Sequence, residues 1–194
     1  IIPELIILSY SGSSGIEFPK QIEWYFNLLS EVGRMCTTAS VYEGAENWPN
    51  LYAGAFSVML LILFVLNKRI NWKKKIAPVL FVLLFMASFA NKQLDFIWHG
   101  LHFPDSLPGR QSYLYAFLVL TIGYATVRKW RGIRSWHIGV AVVFASALMA
   151  VSTMFAGEDV TEYYAVIISI LFVALYGIMT VLLKLAASKN RELL

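Results

Sequence analysis

Between Asn91 and Tyr113 the sequence gathers more polar and ionisable side chains among aromatics than in any other stretch. Asp95 can orient or deprotonate a hydroxyl. His99 and His102 can donate to a phosphate or carry a proton, because imidazole changes charge near neutral pH. Arg110 offers a planar fork that matches phosphate oxygens, and Lys92 offers a point charge. Trp98 and Phe103 present flat faces to a sugar ring or a polyprenyl chain. Such a set suits a phosphorylated, sugar-bearing lipid, which makes Lys92, Asp95, Trp98, His99, His102 and Arg110 the candidate substrate-binding residues. The competing reading makes the loop a connector, with Pro104 and Pro108 shaping a turn and Arg110 paired to Asp105. His99-x-x-His102 supplies two ligands without a third, so neither a metal nor any other cofactor is called for.

The elements on either side of this loop must position it. Of 194 residues, 58% are hydrophobic and only 14% charged, where a soluble domain carries about 25% charged. The apolar residues fall in five runs, at about 48–66, 76–90, 112–127, 136–155 and 163–183. A helix needs roughly 20 residues to cross a hydrocarbon core of about 30 Å. The first, fourth and fifth runs reach that length. The second and third flank the polar loop and are short, so part of the loop is expected to dip below the headgroups. Polar backbone at that depth persists only when it is buried in protein or lines a wet cavity. The fold class expected is an all-α integral membrane protein with about five transmembrane helices.

Basic residues give the orientation. Lys68, Arg69, Lys73, Lys74 and Lys75 follow the first run. Arg128, Lys129, Arg131 and Arg134 follow the third, and Lys184, Lys189 and Arg191 follow the fifth. These segments hold 12 of the 16 Lys and Arg residues and, of the acidic ones, only Glu192. By the positive-inside rule they are cytoplasmic. Residues 1–47, 91–111 and 156–162 are then extracytoplasmic, and residues 184–194 form a cytoplasmic tail.

Within the first external segment, Phe18, Ile22, Phe26 and Leu29 recur at helical spacing, with Lys20, Glu23, Asn27, Glu31 and Arg34 on the opposite face. This spacing predicts an amphipathic helix over about 19–35, lying on the outer surface or capping the bundle. The single cysteine, Cys36, excludes an internal disulfide and a cysteine metal cluster within these residues. The opening Ile1-Ile2-Pro3-Glu4 reads as an excerpt from a longer protein.

The loop also carries a resemblance. Leu94-Asp95-Phe96-Ile97-Trp98-His99-Gly100, Phe103-Pro104-Asp105 and Leu107-Pro108-Gly109-Arg110-Gln111-Ser112-Tyr113 resemble the signature region of the YfhO family of bacterial membrane proteins. Pro49-Asn50-Leu51-Tyr52-Ala53-Gly54 resembles the Pro-Asn-x-Tyr-x-Gly element that opens a helix in that family. The family's usual Pro-Tyr-Arg-Phe-Ser-Phe stands here as Pro-Gly-Arg-Gln-Ser-Tyr, and Asp95 stands where Asn is common. The resemblance implies part of a GT-C-like bundle in the bacterial cytoplasmic membrane. It implies a glycosyltransferase that moves sugar from a polyprenyl-phosphate donor to a cell-surface polymer such as teichoic acid, with membrane lipid and no nucleic acid as partners. The family pattern puts the catalytic base in an external loop upstream of these residues, leaving Asp95 a positioning role and this piece inactive alone. The alternatives are a non-catalytic lipid flippase or transporter, or a structural membrane subunit.

Overall fold

The computed structural model describes residues 20–37, 39, 48–101, 109–156 and 162–189, and among these all regular structure is helical. Six α-helices run in chain order: α1 (Ala55–Leu66), α2 (Trp72–Ala90), α3 (Lys92–Trp98), α4 (Ser112–Arg128), α5 (Ser135–Phe155) and α6 (Tyr163–Lys189). Short 3-10 turns occupy Ser30–Met35 and Trp130–Gly132.

The sequence of α1, Ala-Phe-Ser-Val-Met-Leu-Leu-Ile-Leu-Phe-Val-Leu, is apolar on every face, and such a helix belongs in an interior. It packs against α4, α5 and α6, while α5 lies along α6 and α2 along α4. Met59 and Leu63 of α1 are buried with Ile138 and Ala141 of α5. Val58 joins Phe85, Phe89, Tyr115, Val119 and Met149 in the larger core. Small residues allow close approach, as membrane helices need where no hydrophobic drive separates lipid from protein. A Cβ at Gly123 would stand 3.1 Å from Leu60, and one at Gly177 would collide with Val142.

By length and composition two helices, α5 and α6, can cross a membrane. The 48–66 run is helical only from Ala55, giving 12 residues. Pro49 and the left-handed Gly54 (φ 92°) keep residues 48–54 out of the helix. α2 takes in Lys73, Lys74 and Lys75 because Asn71 caps it, accepting the Lys73 N–H at 3.0 Å. α4 has 17 residues, about 26 Å of helix.

The amphipathic helix expected over 19–35 is corrected by the structure. Residues 23–25 run extended beside Asn91: the Tyr25 N–H donates to the Ala90 carbonyl at 2.8 Å, and the Lys92 N–H to the Glu23 carbonyl at 3.1 Å. Backbone groups committed to a neighbouring chain segment are lost to a helix. Only Ser30–Met35 turns helically, and Glu31 and Arg34, expected on the wet face, are buried.

At one end of the bundle two basic loops are clamped together. Buried Asn67 donates from Nδ2 to the Lys129 carbonyl (3.1 Å) and accepts the Arg69 N–H at Oδ1 (2.9 Å). The Lys68 N–H reaches the Gly132 carbonyl at 3.3 Å. A Cβ at Gly132 would overlap the Asn67 side chain and stand 2.7 Å from the Arg69 nitrogen. Gly132→Ala should therefore cost about 1–3 kcal/mol, the usual range for overpacking. It should lower the melting temperature of the purified full-length protein, and an unchanged melting curve would mean the clamp yields freely.

Candidate functional site

The opposite end of the bundle is built around Asn91. Its extended backbone ends α2, and its side chain then caps α3, accepting the Leu94 N–H at 3.0 Å. An Asn at this position starts a helix by supplying the acceptor that the first turn lacks. The seven residues of α3 follow, with Asp95 and His99 one turn apart on its inner side.

The helix stops at Trp98-His99-Gly100. The Gly100 N–H donates to the Ile97 carbonyl (3.2 Å) and the Leu101 N–H to the Phe96 carbonyl (2.9 Å). This pair of reverse bonds is the Schellman arrangement, whose left-handed position suits glycine; Gly100 has φ 73° and Leu101 φ 67°. His99 is thereby fixed as the C-cap, the residue just after the helix.

Asp95 is buried and both of its oxygens are engaged. Oδ1 lies 3.1 Å from His99 Nδ1, and Oδ2 accepts the Tyr25 hydroxyl at 3.3 Å. His99 Nδ1 also lies 2.9 Å from the Asp95 carbonyl oxygen. The hydrogen bond from Asp95 raises the affinity of His99 for its proton; burial and the positive charge of Arg110 work against it. Burial, then the Asp95 charge, pushes the Tyr25 phenol up. Asp95 thus orders a histidine and a tyrosine, one through each oxygen.

The other expected residues are placed around this pair. Lys92 Nζ meets Glu23 Oε2 at 2.6 Å on the surface. Trp98 is part-exposed and stacks on Phe85 at 5.4 Å. Arg110 is exposed and close enough for its charge to act on His99. His102 lies outside the described residues.

Pro49 and Gly109, one from each of the two elements that carry the family resemblance, meet here. Gly109 (φ 63°) packs so tightly that a Cβ would be 2.9 Å from Pro49 Cβ and 3.6 Å from the Phe89 ring. Arg34 Nε donates to the Pro49 carbonyl at 3.1 Å, and its second nitrogen to Asn50 Oδ1 at 2.9 Å.

Two further buried polar side chains, Glu31 and Gln111, were not expected from the sequence pattern. Glu31 is fully buried, with no hydrogen-bond partner for either oxygen among the described residues, and the same holds for the Gln111 amide. Tyr115, one turn beyond Gln111, is within electrostatic reach of Glu31 and donates to Met35 Sδ at 3.4 Å. Burial pushes the Glu31 carboxyl up to about 9, so it is neutral at pH 7. Helical periodicity put Glu31 on a solvated face; nothing local marks it as buried.

The described residues form a helical bundle with two apolar helices of membrane length and a polar, aromatic-rich end. The chain matches the model of the family described as bacterial membrane protein YfhO over residues 1–193, and it belongs to that family. No curated protein and no solved structure matches it.

Proposed function

We propose that this chain is part of a GT-C-type membrane glycosyltransferase that moves a sugar from a polyprenyl-phosphate donor to a cell-surface polymer such as teichoic acid. The observation that carries the reading is the buried Asp95–His99 pair beside exposed Arg110, at the end of the bundle away from the basic loops. In this reading that end is extracytoplasmic, and the basic loops face the cytoplasm. Large apolar side chains exposed on α2 (Leu80, Phe81, Leu83) and α4 (Phe117, Leu120, Tyr124) support further crossings besides α5 and α6.

An acceptor hydroxyl attacks the anomeric carbon, and the bond to the polyprenyl phosphate breaks with its electron pair going to the phosphate oxygen. Arg110 stabilises that developing charge, where fixed donors act most strongly, and His99, whose hold on its proton the Asp95 hydrogen bond strengthens, adds to it whenever the imidazole carries its second proton. Lys92 can join them at little cost, because an exposed ion pair such as that with Glu23 is worth about 0–1 kcal/mol. Trp98 stacks on the sugar. The acceptor's proton goes to a base that the family pattern places upstream. Asp95 is a positioning residue, since both its oxygens already hold neighbours.

Asp95→Asn in the full-length protein should keep turnover within about tenfold of wild type, a cost of about 1.4 kcal/mol. Removing a general base loses about 10²–10⁴-fold. A loss in that range, with the protein still folded and inserted, would make Asp95 the base. The reading as a whole is tested by reconstituting the full-length protein with a labelled polyprenyl-phosphate sugar. Label appearing on an acceptor polymer supports it; label crossing the bilayer still attached to its lipid identifies a flippase instead.

A further inference from the structure

At the basic end, α1, α2 and α4 leave three openings that share their walls. The first, of about 420 Å³, lies between the last turns of α1 and α4 and the first turns of α2, with Arg69, Lys74, Arg128 and Lys129 around it. Phe64, Pro78, Leu118 and Ile122 form its apolar side. A second, of about 540 Å³, opens outward from Arg69, Arg128 and Lys129 to Trp130 and Arg131. A third, of about 160 Å³, continues inward from Phe64 and Ile122 along Leu61, Val79, Val82 and Leu83, and its lining is wholly apolar. Among the described residues no acidic side chain lines any of them.

We infer that this slot is a binding site for an anionic phospholipid, with its phosphate held by Arg69, Arg128 and Lys129 and an acyl chain laid along the α1–α2 crevice. The inference rests on family membership in a membrane protein family, and not on the transferase chemistry at the other end. Three features fix the occupant. The cations cluster at one end of the slot only, and the apolar extension offers nothing to a soluble anion such as free phosphate. From Lys74 to Leu83 the slot follows nine residues of α2, about 14 Å, close to half a hydrocarbon core of about 30 Å; it is one leaflet deep. The two loops that carry the cations are also held together before any ligand arrives, because Asn67 ties the Arg69 backbone to the Lys129 carbonyl. Arg128 lies 5.8 Å from the Tyr124 ring, which further steadies its guanidinium. Basic pockets between helices at a membrane surface recognise phosphate headgroups by charge and shape together.

The test titrates purified full-length protein in detergent with dioleoyl phosphatidylglycerol, dioleoyl phosphatidylcholine and sodium phosphate, reading bound lipid by native mass spectrometry. Phosphatidylglycerol is expected to bind at least about tenfold more tightly than phosphatidylcholine, which has the same chains and no net charge. Sodium phosphate should not compete at equal concentration. R69Q/R128Q should reduce the preference to near parity, with K74Q/K129Q serving the same purpose where the first pair fails to fold. T121W, which fills the cavity from α4 without touching a charge, should weaken phosphatidylglycerol binding at least several-fold. Equal affinity for the two lipids in the wild type, competition by phosphate alone, or a preference that survives loss of the cations would each overturn the inference. Sugar-transfer activity is not read, so failure here leaves the transferase reading standing and the reverse also holds.

Discussion

Arg110→Ala in the full-length protein is expected to lower sugar transfer at least about a hundredfold, about 2.7 kcal/mol of transition-state stabilisation. Its side chain is exposed at the mouth of the Asp95–His99 cluster, so its removal breaks no core contact and membrane insertion should be unaffected. Arg110→Lys should restore part of the rate, because an ammonium supplies charge without the two-pronged fork. His99→Ala should lose activity as severely, but with lower stability. It leaves the buried Asp95 carboxyl without its imidazole partner, and breaking a buried pair costs about 3–5 kcal/mol. Comparing the two separates the chemistry from the fold: the arginine variant should fail in turnover with an intact melting curve. Wild-type transfer by both alanine variants would reduce the 91–111 segment to a connector.

The second large effect concerns Glu31. A carboxyl whose folded pKa is raised holds its proton more tightly folded than unfolded. Its penalty is therefore absent below the unfolded value, near 4.5, and grows as pH rises until the folded value near 9 is passed. Within that window each pH unit costs up to about 1.4 kcal/mol. Wild-type protein should thus melt at progressively lower temperature from pH 5 to pH 9. Glu31→Gln, a neutral side chain of nearly the same shape, should flatten the Glu31 contribution and melt several degrees above wild type at pH 8.5. Parallel pH profiles for the two proteins would show that the carboxyl is ionised in the fold, with a partner that neutralises it.

How far the fold was legible in the sequence depended on what kind of signal each part carries. Long apolar runs bounded by charge announce themselves, and α2, α4, α5 and α6 lie within a few residues of the runs at 76–90, 112–127, 136–155 and 163–183, apart from the extension of α6 to Lys189. Short elements do not. The seven-residue α3 is set by a single cap at Asn91 and a glycine at 100, and it turns Asp95 and His99 from loop residues into an i, i+4 pair. The run at 48–66 looked like one helix because composition does not register that Pro49 is pinned under Gly109 and by Arg34.

Residues 19–35 misled for a deeper reason. Their spacing is amphipathic, yet the competing backbone partners of Glu23 and Tyr25 lie some 65 residues further on, at Ala90 and Lys92. No local pattern reports a contact of that range. For the same reason the hydrogen bond of Tyr25 to Asp95 and the burial of Glu31 were invisible in the sequence. Residue type alone nominated Lys92, Asp95, Trp98, His99, His102 and Arg110, whereas which of them lie inside was not readable: Asp95 and His99 are buried, and Arg110 is exposed.

The proposed chemistry requires the polar end to face outward and the basic end to face the cytoplasm. Single cysteines at Lys92, Glu162, Lys73 and Arg131 test this directly, since the native Cys36 is fully buried and should stay silent. In intact cells an impermeant maleimide should label the cysteines at Lys92 and Glu162, and reach those at Lys73 and Arg131 only after permeabilisation. Labelling of the Lys73 and Arg131 positions from outside, with Lys92 and Glu162 protected, would place the cluster in the compartment that lacks its acceptor and contradict the account.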